Sequence, residues 1–231
     1  GIIQFTPFTR DKIMAKKNNE IQIEPIFEDL CLAPLFATPV MSLGLDLDVE
    51  KLTEWSFQLQ NKDNEAVWTN HDLGGWHSNN ISEEIHEEFG RLKKEITQYL
   101  QIYHTEVFQG MQFKKNVIQE IDNMWVNINE KHHYNDWHIH PFATLSGVYY
   151  IKHDGDKNGD ILFKHPEHPQ ITALHWSSKL VESYNATTAS TVNIKPKSNM
   201  LLIFPSWLNH SVGVNLNDDP RISLSFNSIL V

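Results

Sequence analysis

The period of the hydrophobic pattern changes once along this chain, near Gly110, and that change limits the fold more than any other feature. Before it, residues 46–61 (DLDVEKLTEWSFQLQN) place Val49, Leu52, Trp55 and Leu59 at helical spacing, with Phe57 off the stripe. A second helix is expected from Ser82, where SEEIHEEF puts acids into a first turn. Ile85, Phe89, Leu92, Ile96, Leu100 and Tyr103 then carry its apolar face to about residue 108. The stretch between, TNHDLGGWHSNN (69–80), reads as a glycine-containing loop. After Gly110 the segments near 112–129, 144–152, 159–164, 190–195, 200–204, 209–214 and 221–230 are short, β-branched or aromatic, and separated by Gly, Asn, Asp or Pro. A helical signal returns only at 173–182, and residues 20–45 read as an irregular or strand-bearing entry. Helices followed by seven or eight strands give an α+β chain with a jelly-roll or sandwich C-terminal half. The expected layout is one domain over 14–231, with helical support at 14–110 and a jelly-roll core at 111–231. Residues 1–13 precede Met14-Ala15-Lys16-Lys17, read as an appended tail, and carry no functional weight.

Composition narrows the function classes. The formal net charge is −10, and an acidic surplus disfavours nucleic-acid phosphate as a partner. No apolar run approaches the roughly 20 residues of a membrane span, and no signal peptide is visible, so the expectation is a cytoplasmic protein without membrane contact. Cys31 is the single cysteine, so no internal disulfide forms, and it reads as a small buried hydrophobe. The N-x-Ser/Thr triplets at Asn80, Asn185 and Asn209 read as chance. Oligomeric state is not legible.

Thirteen histidines are the unusual feature. In Trp137-His138-Ile139-His140-Pro141, a strand would turn His138 and His140 to one face. A third imidazole is available at His210, after the Pro205 turn. Imidazoles suit Fe, Cu, Ni and Zn alike, so residue type alone does not select the metal. The histidines at 132, 133, 153, 165, 168 and 175 read as solvated loop residues, while His71 and His77 are ambiguous. The final strand, RISLSFNSILV, alternates Arg221, Ser223, Ser225 and Asn227 against apolar neighbours. An inward polar face of that kind suits a ligand cavity, with Arg221 as a planar fork for a carboxylate.

Together these strings resemble the 2-oxoglutarate- and Fe(II)-dependent oxygenases. The likeness is to a bacterial and phage group with N-x-W-x-N, H-x-H-P, L-S-G-V-Y-Y, F-P-x-W-L-x-H-x-V and R-I-S-x-S-F-N. Here these are Asn123–Asn127, His138–Pro141, Leu145–Tyr150, Phe204–Val212 and Arg221–Asn227, with a weaker match at Gly74–Ser78. The resemblance covers about 120–231 and implies a double-stranded β-helix (cupin-like jelly roll). It implies that His138, His140 and His210 hold Fe(II), with His140 standing where most of the superfamily has Asp or Glu. That exchange alters the charge of the metal site by one unit, and the alternative is that His140 lies outside the ligand set. It further implies that Arg221 and Ser223 bind the 2-oxoglutarate 5-carboxylate, with Tyr150, or alternatively Tyr149, reaching the same group and Asn127 and Asn129 touching the co-substrate. No catalytic group beyond these ligands is expected.

The implied reaction spends O2 and 2-oxoglutarate to oxidise a substrate, by default to a hydroxylated product. Trp76, His77 and Tyr149 are the expected substrate contacts. Trp137 and Trp207 are further candidates whose commoner role is core packing. The substrate is expected to be peptidyl or a small molecule. Two rivals stand beside this reading: a three-histidine cupin-type dioxygenase without 2-oxoglutarate, and a non-enzymatic jelly-roll binding module.

Overall fold

The computed structural model describes residues 13–15, 21–23, 36–62, 72–81, 86–108, 111, 113, 116–154, 156–169, 181–186 and 188–231. In chain order the elements are β1 (Ile13–Ala15), β2 (Ile21–Ile23), β3 (Met41–Gly44), α1 (Val49–Lys62), β4 (Asp72–Leu73), β5 (Trp76–His77) and α2 (Glu87–Val107). There follow β6 (Gln119–Asn129), β7 (Tyr134–His138), β8 (Leu145–Lys152), β9 (Ile161–Lys164), β10 (Thr191–Ile194), β11 (Met200–Pro205), β12 (His210–Val212) and β13 (Arg221–Leu230).

Two antiparallel sheets face each other. One has six strands in the order β3-β11-β8-β13-β6-β5; the other has five, β10-β9-β12-β7-β4; β1 and β2 pair separately. This is the expected double-stranded β-helix with supporting helices. The layers do not divide at residue 110, however: β3, β4 and β5 come from the N-terminal half and enter both sheets. β4 and β5 have two residues each, too few to show a strand period, and they lie inside the expected 69–80 loop. Among the described residues, no helix is long and apolar enough to cross a membrane.

The helices cover the outer face of the six-stranded sheet. Asp48 caps α1 by accepting from the Lys51 backbone N–H at 3.1 Å. Its apolar side then buries Leu52 and Trp55. α2 starts at Glu87, later than expected: His86 is its N-cap, Nδ1 accepting from the Phe89 N–H at 3.3 Å. Ser82 to Ile85, Cys31 and residues 173–180 of the expected 173–182 helix fall outside the described residues; 181 and 182 are not helical. Phe89, Leu92, Ile96 and Leu100 pack with Val126, Ile128, Tyr149, Ile151, Leu224 and Phe226 of the sheet. A second cluster, Val148, Tyr150, Ile161, Phe163, Leu202, Phe204 and Leu208, lies between the sheets.

Strand alternation thus gives every central strand two faces. On β13, Ile222, Leu224 and Phe226 meet the helices, while Arg221, Ser223 and Ser225 line a cavity between the sheets. Gly147 on β8 is required by a close approach: a Cβ there would lie 2.6 Å from the Leu202 carbonyl oxygen and against the Phe226 ring. Gly147→Ala is therefore expected to lower unfolding stability by about 1–3 kcal/mol, read from the urea midpoint at unchanged m-value.

Candidate metal and co-substrate site

Two of the three imidazoles come from one sheet, and the third from the turn that leaves it. His138 ends β7 and His210 opens β12, and their Cα atoms are direct cross-strand partners. That register sets the two side chains on one face, with ring centroids 4.3 Å apart. His140 arrives differently. It lies past the end of β7, not in the strand as the H-x-H spacing suggested, and its backbone N–H donates to the Ser206 carbonyl at 3.0 Å. Its ring centroid is 5.1 Å from that of His138 and 5.2 Å from that of His210. One nitrogen from each of the three lies within 4.8 Å of the others.

Two of the rings have a defined tautomer. His138 Nδ1 is 2.6 Å from the Asp136 carbonyl oxygen, and His210 Nδ1 is 2.8 Å from that of Leu208. A carbonyl oxygen only accepts, so each Nδ1 carries the proton and each Nε2 presents a lone pair, the arrangement that orients a metal-binding imidazole. No carboxylate joins this cluster among the described residues. Asp136 is exposed, and its side chain accepts from the Trp137 N–H at 2.7 Å. Three neutral nitrogen donors converging at this separation suit Fe(II) and other first-row divalent ions.

Arg221 belongs to the opposite sheet and is 1% exposed. Nη1 donates to the carbonyls of Asn158 and of Gly213, the latter at 2.9 Å. Gly159, at φ +83°, leaves room for the guanidinium, since a Cβ there would stand 2.9 Å from Nη1. Nη2 is buried with no hydrogen-bond partner. No described carboxylate forms an ion pair with this guanidinium. Burial pulls its pKa down to about 10, partly offset by Tyr150, so it remains a cation at neutral pH. An isolated buried cation is costly. The unpaired donor fits the carboxylate of a bound ligand.

The cross-strand register explains which other expected residues join. Ser223 is opposite Asn127 on one side and Tyr150 on the other, and His77 is opposite Asn127. Partners of this kind share a face, and all four line the cavity together with Asn129, Ser225, Arg221 and the three imidazoles. Burial pushes the Tyr150 hydroxyl well above the usual phenol range, so it stays protonated as a donor. The free space is about 60 Å³.

Trp76 and Tyr149, expected as substrate contacts, do not line the cavity. Each sits one residue out of phase, next to a residue that does, and packs into the helix-side core. The Tyr149 hydroxyl donates to Asn199 Oδ1 at 2.5 Å. Trp137 lies under the Lys164 ammonium, 4.2 Å from its ring centre, and Trp207 is 53% exposed. Neither lines the cavity.

Trp125 was missed. It shares the inward face of β6 with Asn127 and Asn129, and its ring stacks on His77 at 5.3 Å and tilts over His140 at 5.8 Å. Extending the two-residue period by one step would have found it. His153 was misread as a solvated loop residue: it is 4% exposed. Its Nε2 donates to the Gly159 carbonyl at 3.1 Å, and its ring meets Tyr150 edge-on at 5.5 Å. His71 and His175 lie outside the described residues.

Comparison with known proteins adds likenesses to this geometry. Residues 123–227 match the family model described as "Putative 2OG-Fe(II) oxygenase". The matched stretch holds the three clustered histidines and Arg221. Among solved structures, a Pseudomonas putida prolyl-4-hydroxylase aligns at 12% identity and TM-score 0.56, over 82% of this chain and 92% of the other. A Trichoplax adhaerens prolyl hydroxylase, in complex with a hypoxia-inducible-factor peptide fragment, aligns at 13% and 0.57, over 82% and 83%. The non-heme alpha-ketoglutarate-dependent epimerase SnoN of nogalamycin biosynthesis also gives 13% and 0.57, over 82% and 76%. At such identities these likenesses speak for the fold. Comparison with curated proteins returned no match.

His153 carries a pH prediction. Burial, chiefly, holds its pKa below the ordinary value, which is about 6.5. The unfolded chain therefore binds this proton first, so the stability contributed is full above about pH 6.5 and is lost as pH falls through the lower folded value. His153→Phe is expected to flatten the fall in unfolding free energy between about pH 7 and 5, measured by denaturant titration at each pH.

Proposed function

We propose that this chain is a 2-oxoglutarate- and Fe(II)-dependent dioxygenase, with His138, His140 and His210 holding the metal and Arg221 anchoring the co-substrate. The observation that carries the reading is the buried, unpartnered Nη2 of Arg221 in the cavity that the three imidazoles also line. A dicarboxylic keto acid answers both features: one carboxylate for the guanidinium, and a 2-oxo acid end for a metal with open positions.

The bound iron supplies the oxygen chemistry, coupling loss of carbon dioxide from 2-oxoglutarate to oxidation of the substrate, with succinate as the second product. The chain's own residues position the reactants. Arg221 pairs with the distal carboxylate, and Ser223 and Tyr150 add hydroxyl donors on the same face. Asn127, whose amide donates to Ser225 Oγ at 3.0 Å, and Asn129 wall the co-substrate's flank. The apolar walls Val148, Ile161 and Phe204 exclude water. His77 and Trp125 stand beside His140 as the substrate-side wall.

Both rivals fail on Arg221. A three-histidine dioxygenase that uses no keto acid, or a binding module without redox chemistry, leaves a buried cation with nothing to pair. A peptidyl substrate is the first choice for the substrate class, supported by the two prolyl hydroxylases among the structural neighbours. A small molecule, as for SnoN, is the second.

With Fe(II) under air, succinate release is expected only when 2-oxoglutarate is added; oxidation without it would favour the cupin-type rival. Arg221→Ala is expected to weaken 2-oxoglutarate binding by a factor of about 100 or more while metal binding stays intact, both read by calorimetry. Unchanged co-substrate affinity removes Arg221 from the site. His138→Ala and His210→Ala are each expected to abolish Fe(II) binding in equilibrium dialysis. His140→Ala, which loses the ligand lying outside the strand ladder, weakens it less.

A further inference from the structure

Among the described residues, none that lines the cavity is an acid. Asn and Ser side chains, aromatic rings, imidazoles, aliphatic groups and Arg221 make its walls, and no Asp or Glu is among them. Asp136 and Asp160 stand outside that lining. Asp136 is exposed and holds the Trp137 N–H. Asp160 acts electrostatically on Tyr150 and His153 and lies outside the cavity wall.

Metal-bound imidazoles are neutral. On the dioxygenase reading, then, the loaded cavity holds two positive charges from the ferrous ion and one from Arg221. Two negative charges from 2-oxoglutarate stand against these. One positive charge is left over in a space walled partly by Val148, Ile161 and Phe204. In such a medium an uncompensated charge is expensive, and a counter-charge brought by a ligand is favoured strongly.

We propose that the substrate supplies this counter-charge: it carries one carboxylate, which it places in the cavity lined by the three imidazoles. The residue that sets the balance is His140. A carboxylate at that position would make the loaded cavity neutral and would repel an anionic substrate. Its imidazole leaves the cavity one unit more positive. The inference rests on the dioxygenase reading, because the balance counts the metal and the co-substrate.

The test uses the full chain loaded with Co(II), in place of the oxidisable Fe(II), and saturated with 2-oxoglutarate. Sodium acetate is titrated at constant ionic strength, followed by the cobalt visible band and by heat, with acetamide as the uncharged isostere. Acetate is expected to bind saturably without displacing 2-oxoglutarate, and acetamide to bind at least about tenfold more weakly. His140→Asp, and separately Asn135→Asp, which adds an acid to the cavity wall while keeping all three imidazoles, are each expected to weaken acetate about tenfold or more. 2-Oxoglutarate binding is measured first in the same samples, and its failure would sink the dioxygenase reading itself. If 2-oxoglutarate binds normally, three results overturn the charge inference alone. These are acetate binding no better than acetamide, acetate displacing 2-oxoglutarate, and unchanged acetate affinity in the folded variants.

Discussion

A guanidinium sealed inside a β-sandwich with no described carboxylate opposite it is the constraint around which this molecule is arranged. Taking such an ion out of water costs several kcal/mol even after relaxation, so the surrounding chain must return hydrogen bonds to it. Arg221 opens β13, a strand paired on both sides in the middle of the six-stranded sheet. Around it a network of buried amides is closed. Asn158 donates to Asn215, and Asn215 donates to the Asn129 and Asp219 carbonyls. Both Asn158 and Asn215 are fully buried. Their loops present the two carbonyls that hold Nη1 and leave Nη2 aside. The scaffold thus satisfies half of the fork and leaves Nη2 unpartnered; on the proposed reading that is preorganisation for a ligand in a low-dielectric setting.

The rest of the site follows from strand parity. β6, β8 and β13 share register, so a residue's face decides whether it meets the helices or the cavity. Tyr149 and Tyr150 differ by one position and serve opposite layers: one donates to Asn199 beneath the helices, the other borders the ligand space. Trp76 and His77 repeat the same division.

Parity also explains what was legible beforehand. The inward row Arg221, Ser223, Ser225 could be read from the alternation of RISLSFNSILV, because a ten-residue strand displays its period several times over. β4 and β5 could not, since two residues display none. The convergence of His138 with His210 was expected from their order and a family likeness; the direct cross-strand pairing that produces it is a long-range register no local pattern encodes. His140 joins the cluster through a turn after the strand, and not by the same-face strand geometry that the H-x-H spacing suggested. The burial of His153 depends on how the loop before Gly159 folds back, and local composition around it is polar. The start of α2 slipped because Ser82 looks like a cap while the capping group observed is the His86 ring.

The two halves of the site sit on different walls. All three imidazoles belong to the five-stranded sheet or the turn leaving it, and the guanidinium belongs to the six-stranded one. Between those walls the described contacts are chiefly apolar, as where Phe163 meets Phe204 edge-on at 5.0 Å. A molecule that grips the imidazole side and the guanidinium together is a tie-rod across the gap. On the proposed reading, cargo of that kind would brace the sandwich against splaying at this end, making cofactor loading and mechanical stiffness one event.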